Sequence, residues 1–325
     1  MPEIICFEVT NRCNLDCLHC NKVINTQPVR DIPVQLVDRI LEESKPFNPR
    51  VVALTGGEPT VHKEFARLVA TVAQHDIDYT LTTNGQNFRE THKVLVRHAE
   101  RLKGITLSLE GATPWSNDKV RGSGSFERVL DAMELCRRHG IQFGLQTVVS
   151  TANIDELGAI TALAAAQGAD QLNFILMRPS PRNIQEGLLL DREAAEAVEQ
   201  RVADLKQSIT NIKVDMTLGY YSPWPLFACR PLGLALIHVD YKGYLRFCPD
   251  VANYRGAGVT EDDNDVVADL NEQSLQRGLK ALAQRVAVFW QNKIDHTAMN
   301  DLAPTDYFPC YYCLRYFNKA DCMDL

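Results

Sequence analysis

The 325-residue sequence lacks the features of exported and membrane proteins. No basic segment followed by an apolar stretch stands at its N-terminus, and no apolar run approaches the roughly 18 residues of a membrane-spanning helix. Positive charge is also scarce, with 34 Lys and Arg against 41 Asp and Glu and a net charge of -7. Because nucleic-acid binding depends on a basic surface, we do not expect nucleic acid as the main partner. The lack of a membrane-spanning run likewise predicts no membrane partner. The sequence predicts a cytoplasmic globular protein whose cysteines stay reduced.

Cysteine, by contrast, is plentiful, and the ten cysteines are unevenly distributed. Reduced thiols serve metals or catalysis more often than disulfides, so two clusters of cysteines predict two metal sites. The isolated Cys6 and Cys136 lie on apolar segments and are predicted to be core residues. The first cluster consists of Cys13, Cys17 and Cys20, and the second gathers Cys229, Cys248, Cys310, Cys313 and Cys322.

Short β-rich runs alternate with amphipathic helical segments up to about residue 177, which is typical of βα units on a parallel sheet. Right-handed crossovers curl six such units into part of a TIM barrel, with every loop after a strand on one face. We therefore predict an α/β protein, with a partial (β/α)6 TIM barrel over residues 1–208. The predicted strands are 3–9, 50–55, 78–83, 104–109, 142–149 and 171–177, and a helix over 191–208 closes the series.

The remaining residues, 209–325, predict a smaller α+β domain. It contains a β-hairpin that turns near Lys242 and Gly243. The acidic stretch 260–269 lacks the glycine and the ligand spacing of a calcium loop, so we predict a solvated surface loop there.

The first cysteine cluster, in "NRCNLDCLHC", supplies three thiolates. Structural zinc takes four ligands, commonly as two pairs, and His19 is able to complete such a set. Three thiolates from one tight loop suit a [4Fe-4S] cluster better, because each holds one iron and the fourth iron stays open. An open iron is a site for chemistry.

The motifs together resemble the radical S-adenosylmethionine (SAM) superfamily over about residues 1–180. They are the CxxxCxxC motif after the first strand, "GGEP" at 56–59 after the second, and "SLEGA…RGSGSF" from the fourth. The resemblance implies a [4Fe-4S] cluster on Cys13, Cys17 and Cys20 whose open iron binds SAM. It also implies reductive cleavage of SAM to a 5′-deoxyadenosyl radical that abstracts hydrogen from an unactivated carbon, with electrons from a donor such as flavodoxin or ferredoxin.

The same resemblance assigns residues to SAM. The GGEP segment holds the amino group, since glycines allow close backbone approach and Glu58 offers a carboxylate to an ammonium. Ser108, Glu110 and Arg121 address the ribose and the carboxylate, although family members more often carry Asp in place of Glu110. His19 is predicted to lie beside the adenine, and a solvent-facing histidine is the alternative. Thr83, Asn84 and Gln146 are weaker candidates, for which strand-end capping is the alternative. The other predicted cofactor-binding residues are Gly56, Gly57, Glu58, Pro59, Ser108, Glu110 and Arg121.

The second cysteine cluster resembles a twitch domain, the shortened form of the SPASM extension of radical SAM enzymes. The resemblance implies an auxiliary [4Fe-4S] cluster on Cys229, Cys248, Cys310 and Cys313, and structural zinc on the same ligands is the alternative. Cys322 is left over as an alternative ligand, a thiol hydrogen donor or an ordinary terminal cysteine.

Because four thiolates leave no free iron, we expect the auxiliary cluster to accept the electron of a substrate radical. The predicted function is oxidation of a small metabolite in natural-product biosynthesis, and crosslinking or epimerisation of a ribosomal peptide is the alternative. Many peptide maturases carry a leader-binding domain before the barrel, whereas this chain enters its first strand at once. A non-catalytic zinc-binding interaction protein is the alternative from another class. Arg178, Tyr220, Tyr221 and Trp224 are candidates for the border of the substrate cavity, with a rim or core position as the alternative.

Overall fold

The computed structural model describes residues 2–22, 24–25, 28–217, 222, 224–254 and 264–319, apart from the side chain of Thr305. The candidates Cys322, Tyr220 and Tyr221 lie outside the described residues. Within these ranges, no helix combines the length and the apolar character needed to cross a bilayer.

A single sheet of ten strands forms the centre of the described part, in the order β10-β9-β8-β1-β2-β3-β4-β5-β6-β7. The strands from β1 to β7 follow one another in the sheet and are all parallel. The six predicted strands agree with β1 to β6 to within two residues, so the partial barrel is confirmed. The strands are β1 (Ile4–Glu8), β2 (Val51–Thr55), β3 (Asp78–Thr83), β4 (Leu102–Ser108), β5 (Phe143–Val149), β6 (Gln171–Leu176), β7 (Lys213–Met216), β8 (Leu236–Val239), β9 (Tyr244–Arg246) and β10 (Val266–Asp269).

Helices cover the outside of the sheet and bury apolar stripes against it, as their helical spacing predicts. Cys136 is fully buried on such a stripe and Cys6 is buried in β1, so both core predictions are confirmed. The helices are α1 (Val34–Ser44), α2 (Phe65–Gln74), α3 (Phe88–Arg97), α4 (Pro114–Arg121), α5 (Ser125–Arg138), α6 (Leu157–Ala166), α7 (Pro181–Gln185), α8 (Arg192–Ser208), α9 (Leu275–Ala298) and α10 (Pro309–Tyr316).

The sheet continues on both sides of the six predicted strands. Beyond residue 208, β7 pairs in parallel with β6, and on the opposite side β8 pairs in parallel with β1. The predicted hairpin is present between β8 and β9, where Gly243 has a φ of 85° and donates its N–H to Asp240 O at 2.9 Å. A left-handed φ of this kind favours glycine. Because β8 pairs with β1, the C-terminal hairpin continues the sheet next to the first strand of the barrel.

The acidic stretch corrects one prediction. Val266–Asp269 forms β10, which pairs antiparallel with β9, so the predicted surface loop is wrong for these residues. Asp265 is fully buried and forms ion pairs with Lys319 and, at 3.1 Å, with Arg246. A buried cation requires an anionic partner, which explains why an acidic residue lies inside.

Candidate functional site

The loop after β1 carries Cys13, Cys17 and Cys20 and is braced from two sides. The Cys13 N–H donates to Asn25 Oδ1, and the Asn25 amide donates back to Cys13 O, both at 2.9 Å. From the other side, the Leu18 N–H donates to Val120 O near the end of α4 at 2.9 Å. These bonds hold the three thiols on one short, irregular segment.

The GGEP segment after β2 packs directly against the backbone of the cysteine loop. The Gly57 N–H donates to Thr10 O at 2.8 Å, and the Glu58 N–H donates to Arg12 O at 2.7 Å. A Cβ on Gly57 would lie 2.1 Å from Arg12 O, and Gly56 has a φ of 155°. The close approach expected of these glycines is therefore made to the cysteine loop itself.

Glu58 is a buried carboxylate with a fixed orientation. Its Oε1 accepts hydrogen bonds from the hydroxyls of Thr60 at 2.6 Å and Thr83 at 2.7 Å, and its Oε2 accepts from the Asn84 N–H at 2.7 Å. Burial raises the pKa of Glu58 above its usual value. Because a carboxylate oxygen has two lone pairs, Oε2 retains capacity for an ammonium donor.

Glu110 and Arg121 form a buried ion pair. The Arg121 Nε donates to Glu110 Oε2, and its Nη2 lies 3.3 Å from Oε1. Burial opposes the charge on Glu110, but the Arg121 guanidinium holds the pKa of that carboxyl below its usual value. The ion pair fixes the orientation of the Arg121 guanidinium, and Glu110 lies behind it.

His19 lies next to this pair, with Nε2 3.6 Å from Glu110 Oε1. Burial lowers the pKa of His19 to about 4, so the imidazole is neutral at pH 7. Its Nδ1 is buried and has no hydrogen-bond partner among the described residues. A buried polar atom without a partner is costly, which favours a ligand at this position.

The three thiols open onto a cavity of about 230 Å³, the barrel-mouth cavity, which is also lined by residues at the ends of β2 to β6. All predicted cofactor-binding residues except Pro59 and Glu110 line it, and Glu110 lies behind Arg121 and His19, which do. Burial raises the pKa of Cys13 to about 11 and that of Cys17 to about 12. The predicted residues at its wall are His19, Gly56, Gly57, Glu58, Thr83, Asn84, Ser108, Arg121 and Gln146.

Cys229, Cys248, Cys310 and Cys313 line a second cavity of about 560 Å³, the four-cysteine cavity. Cys229 precedes β8, Cys248 follows β9, and the other two are three residues apart on α10, where side chains share one face. Burial raises the pKa of all four thiols, that of Cys310 to about 12. Metal binding at such thiols releases protons.

Two residues connect the cavities. Asp250 lines both, and Arg178, after β6, lines the barrel-mouth cavity with its Nη2 3.5 Å from Asp250 Oδ2. Trp224 is exposed and belongs to neither lining, so a place at the cavity border is wrong for it. Sequence reasoning missed Asp250, which shares no motif spacing with the cysteines.

The residues present fit the predicted groups. Three thiols share a cavity with a partly used carboxylate and an unpartnered imidazole nitrogen, which suits a cluster with an amino-acid-bearing nucleoside. Within the described ranges, no three His, Cys, Asp or Glu side chains come together tightly enough to hold a single metal ion. Both cysteine sets instead surround open space.

Residues 7–164 match the model of the Radical SAM superfamily. The chain contains a radical SAM domain. It is 34% identical over 183 residues to "Mycofactocin maturase MftC" of Mycolicibacterium smegmatis, which is 56% of this chain and 46% of that relative. It is 26% identical over 184 residues to "AdoMet-dependent heme synthase" of Methanosarcina barkeri, which is 56% of this chain and 52% of that relative. The chain spans about half the length of the curated relatives it matches.

Solved structures show the same fold. Streptococcus suis SuiB bound to S-adenosylmethionine superposes with a TM-score of 0.68 at 18% identity, over 85% of this chain and 65% of SuiB. The anSMEcpe structure with bound AdoMet gives 0.64 at 16%, over 86% of this chain and 80% of that chain. Radical SAM domains belong to enzymes that use a [4Fe-4S] cluster and SAM, which confirms the predicted enzyme class and these two cofactors over the zinc-binding interaction protein. The auxiliary cluster stays a prediction.

Proposed function

We propose that the chain is a radical SAM enzyme that holds its first [4Fe-4S] cluster on Cys13, Cys17 and Cys20 and binds SAM in the barrel-mouth cavity. The observation that carries the proposal is the shared lining. Residues from the ends of β2, β3, β4 and β5 meet the three thiols at one cavity, as a cofactor spanning the barrel mouth requires. When bound, the cluster and SAM supply the radical chemistry for abstraction of hydrogen from carbon.

The side chains of the cavity have distinct roles in this proposal. Glu58, oriented by two threonine hydroxyls, binds the amino group of SAM through its free lone pair. Arg121 binds the carboxylate, and Glu110 holds the guanidinium in place from behind. His19 meets the adenine through Nδ1, and Ser108 lies at the wall for the ribose.

The four-cysteine cavity is proposed to hold the auxiliary [4Fe-4S] cluster of a twitch domain that begins near residue 209. Its support is the placement of all four cysteines around one cavity, although they come from sequence positions as far apart as Cys229 and Cys313. Four thiolates leave no iron for substrate, so the chemistry that this cluster supplies when bound is electron exchange. Asp250 lines both cavities and marks where they approach each other.

For the substrate, the similarity to maturases favours a peptide over the small metabolite predicted from the sequence. MftC is a maturase by name, and SuiB has also been solved bound to its precursor peptide SuiA. The second candidate, oxidation of a small molecule, draws support from the heme synthases among the relatives. Flavodoxin or ferredoxin remains the proposed electron donor.

Formation of 5′-deoxyadenosine tests the proposal. Anaerobically reconstituted protein would be incubated with SAM and dithionite, either alone, with a degenerate synthetic peptide library, or with a panel of amino sugars. We expect 5′-deoxyadenosine in every arm and a faster rate with peptides, because substrate couples cleavage to hydrogen abstraction. Acceleration by the amino sugars alone would overturn the peptide assignment, and no 5′-deoxyadenosine in any arm would overturn the enzyme assignment.

A further inference from the structure

Two buried cations belong to segments that flank the four cysteines, and each has at least one nitrogen without a hydrogen-bond partner among the described residues. Lys293, on α9, is fully buried, and its Nζ has no hydrogen-bond partner among the described residues. That nitrogen lies 4.7 Å from the ring centroid of Tyr312, the residue before Cys313. Burying a cation is expensive unless a negative charge compensates it. The position of Lys293 therefore points to an anionic group nearby.

Arg178 approaches the same cysteines from the barrel. It is 4% exposed, and its Nη1 donates to Leu176 O, whereas its Nε and Nη2 have no hydrogen-bond partner in the described part of the chain. Asp250 lies 3.5 Å from Nη2, but the carboxylate is partly exposed and solvent weakens its attraction. The guanidinium is thus only partly compensated by protein groups.

The charges around each cation indicate where the missing anion lies. Burial lowers the pKa of Lys293, and the groups that oppose this shift are, in order, the thiols of Cys313 and Cys229 when ionised, Asp306, and the ionised Cys310 thiol. Burial also opposes the charge on Arg178, but the ionised Cys310 thiol and then Asp250 raise its pKa. Asp306 binds Arg315 and the Ala303 N–H through Oδ2, while its buried Oδ1 has no hydrogen-bond partner in the described part, so this one carboxylate is shared between Arg315 and Lys293. Ionised cysteines are therefore the leading favourable partners of both cations, Cys313 for Lys293 and Cys310 for Arg178.

A four-thiolate cluster supplies the charge that is missing. Neutral thiols do not compensate a cation, whereas a [4Fe-4S] core on four thiolates is anionic in the oxidised form and gains one further negative charge on reduction. A buried cation attracts the reduced form more strongly than the oxidised form, because Coulomb energy grows with charge and falls little in a dry site.

We propose that Lys293 and Arg178 are positioning residues that set the reduction potential of the auxiliary cluster, raising it so that the cluster takes up an electron readily. This inference rests on the auxiliary cluster proposed above and assigns it a reduction potential high enough to accept electrons. Net charge and hydrogen bonds at the cluster sulfurs are established controls of cluster potential.

The test isolates the auxiliary cluster in the full chain. Substituting Cys13, Cys17 and Cys20 by Ala removes the first cluster, and the remaining signal is titrated against solution potential by electron paramagnetic resonance (EPR). Lys293→Met and Arg178→Gln each remove one buried charge. Lys293→Arg keeps the charge, and Lys280→Met removes an exposed charge from the same helix.

We expect Lys293→Met and Arg178→Gln each to lower the ratio of reduced to oxidised cluster about tenfold at a fixed potential, which equals 59 mV for one electron. Lys293→Arg and Lys280→Met should leave the ratio unchanged, because one keeps the buried charge and the other loses a charge screened by water. Should Lys293→Met fail to load iron, Arg178→Gln alone decides the outcome.

The proposal is overturned if the loaded Lys293→Met and Arg178→Gln proteins keep the parent potential. It is also overturned if Lys293→Met and Arg178→Gln both fail to load iron while Lys293→Arg and Lys280→Met load it. The buried charges would then be needed to assemble the cluster rather than to set its reduction potential. Failure of the proposed function looks different. In that case the parent protein without the first cluster would hold zinc or no iron.

Discussion

The two cysteine sites of this chain differ in what surrounds their thiols. At the barrel mouth, three thiols from one loop share a cavity with polar side chains from the ends of four strands. At the C-terminal site, four thiols from three distant segments close around a cavity next to buried cations. This difference favours the proposed roles, in which the barrel-mouth site binds a ligand at an open iron and the C-terminal site holds a charged cluster. One sequence pattern, clustered cysteine, thus serves two purposes.

We expect the greatest loss of activity when a thiol is removed from the barrel-mouth cavity. Cys17→Ala should abolish 5′-deoxyadenosine formation and lower iron from about eight to about four per chain, because two four-iron clusters become one. Iron analysis and chromatography of the products measure both. The matched control is Cys136→Ala, which removes a buried thiol from α5 and should keep both iron and activity. Equal losses in both variants would contradict the assignment.

Removing a thiol from the four-cysteine cavity should separate SAM cleavage from product formation. Cys313→Ala should also lose about four irons, yet it should still cleave SAM slowly without substrate, since the barrel-mouth cavity is untouched. Product formation from the true substrate should stop. Quantifying 5′-deoxyadenosine and product in the same reaction checks this. If SAM cleavage vanished along with the product, the two sites would not be separable.

Breaking the buried ion pair at the barrel mouth should destabilise the fold and weaken SAM binding. Arg121→Gln leaves the Glu110 charge buried and unpaired, which costs about 3–5 kcal/mol of unfolding free energy. Urea unfolding of the apoprotein and SAM binding by equilibrium dialysis measure the two effects. Arg128→Gln, on the exposed side of α5, should change stability by less than about 0.5 kcal/mol. A stable Arg121→Gln protein with normal SAM binding would refute the role of the pair.

The close contact between GGEP and the cysteine loop predicts a local effect. In Gly57→Ala the new Cβ would meet Arg12 O at 2.1 Å, so the loop must shift and iron loading should fall. Gly158→Ala on α6 has nothing within 4 Å and should stabilise the chain by about 0.4–1 kcal/mol. The iron content of the two variants after reconstitution tests this prediction. Full iron loading of Gly57→Ala would show that the contact between Gly57 and the cysteine loop is dispensable.

The smallest expected effect concerns the seam between the barrel and the C-terminal hairpin. His238 on β8 lies 3.3 Å from Glu8 Oε2 on β1. Burial works against the charged imidazole, but Cys6 and Glu8 outweigh it and raise the pKa of His238 to about 9 from 6.5. The ion pair therefore stabilises the fold fully below pH 6.5, and its contribution is lost as the pH rises through 9.

His238→Asn should remove that part of the pH dependence. Unfolding free energies of the variant and the parent should differ most at pH 6 and converge above pH 9. His139→Asn, at the exposed end of α5, serves as the control and should track the parent throughout. A constant difference between the His238 variant and the parent across this range would contradict the ion pair.

Much of the fold could be predicted because its signals are local. The strands β1 to β6 are apolar runs separated by amphipathic helices, and their bounds agree closely with the prediction. The short β7 does alternate polar and apolar residues, but its four residues, Lys213–Met216, are too few to stand out. The acidic residues before β10 obscured a strand that is formed only by its pairing with β9. Long-range pairing of this kind leaves no periodic trace in a single sequence.

The site follows the same rule. Cysteine spacing and GGEP are contiguous motifs, and the structure brings them to one cavity as expected. Lys293 was missed, although a signal existed. It follows Leu282, Val286 and Phe289 at helical spacing on the buried stripe of α9, where a charged residue is out of place. A lysine on an apolar stripe is the sequence feature that would have predicted a buried cation.

The binding of SAM at an open iron beside Cys13, Cys17 and Cys20 is the central claim. It is tested most directly by electron–nuclear double resonance of the reduced chain with SAM carrying ¹⁷O in its carboxylate. We predict a hyperfine coupling that is present in Cys313→Ala and absent in Cys17→Ala. A reduced chain that loads iron but shows no coupling, or a chain that takes up zinc at these three thiols, would contradict the claim.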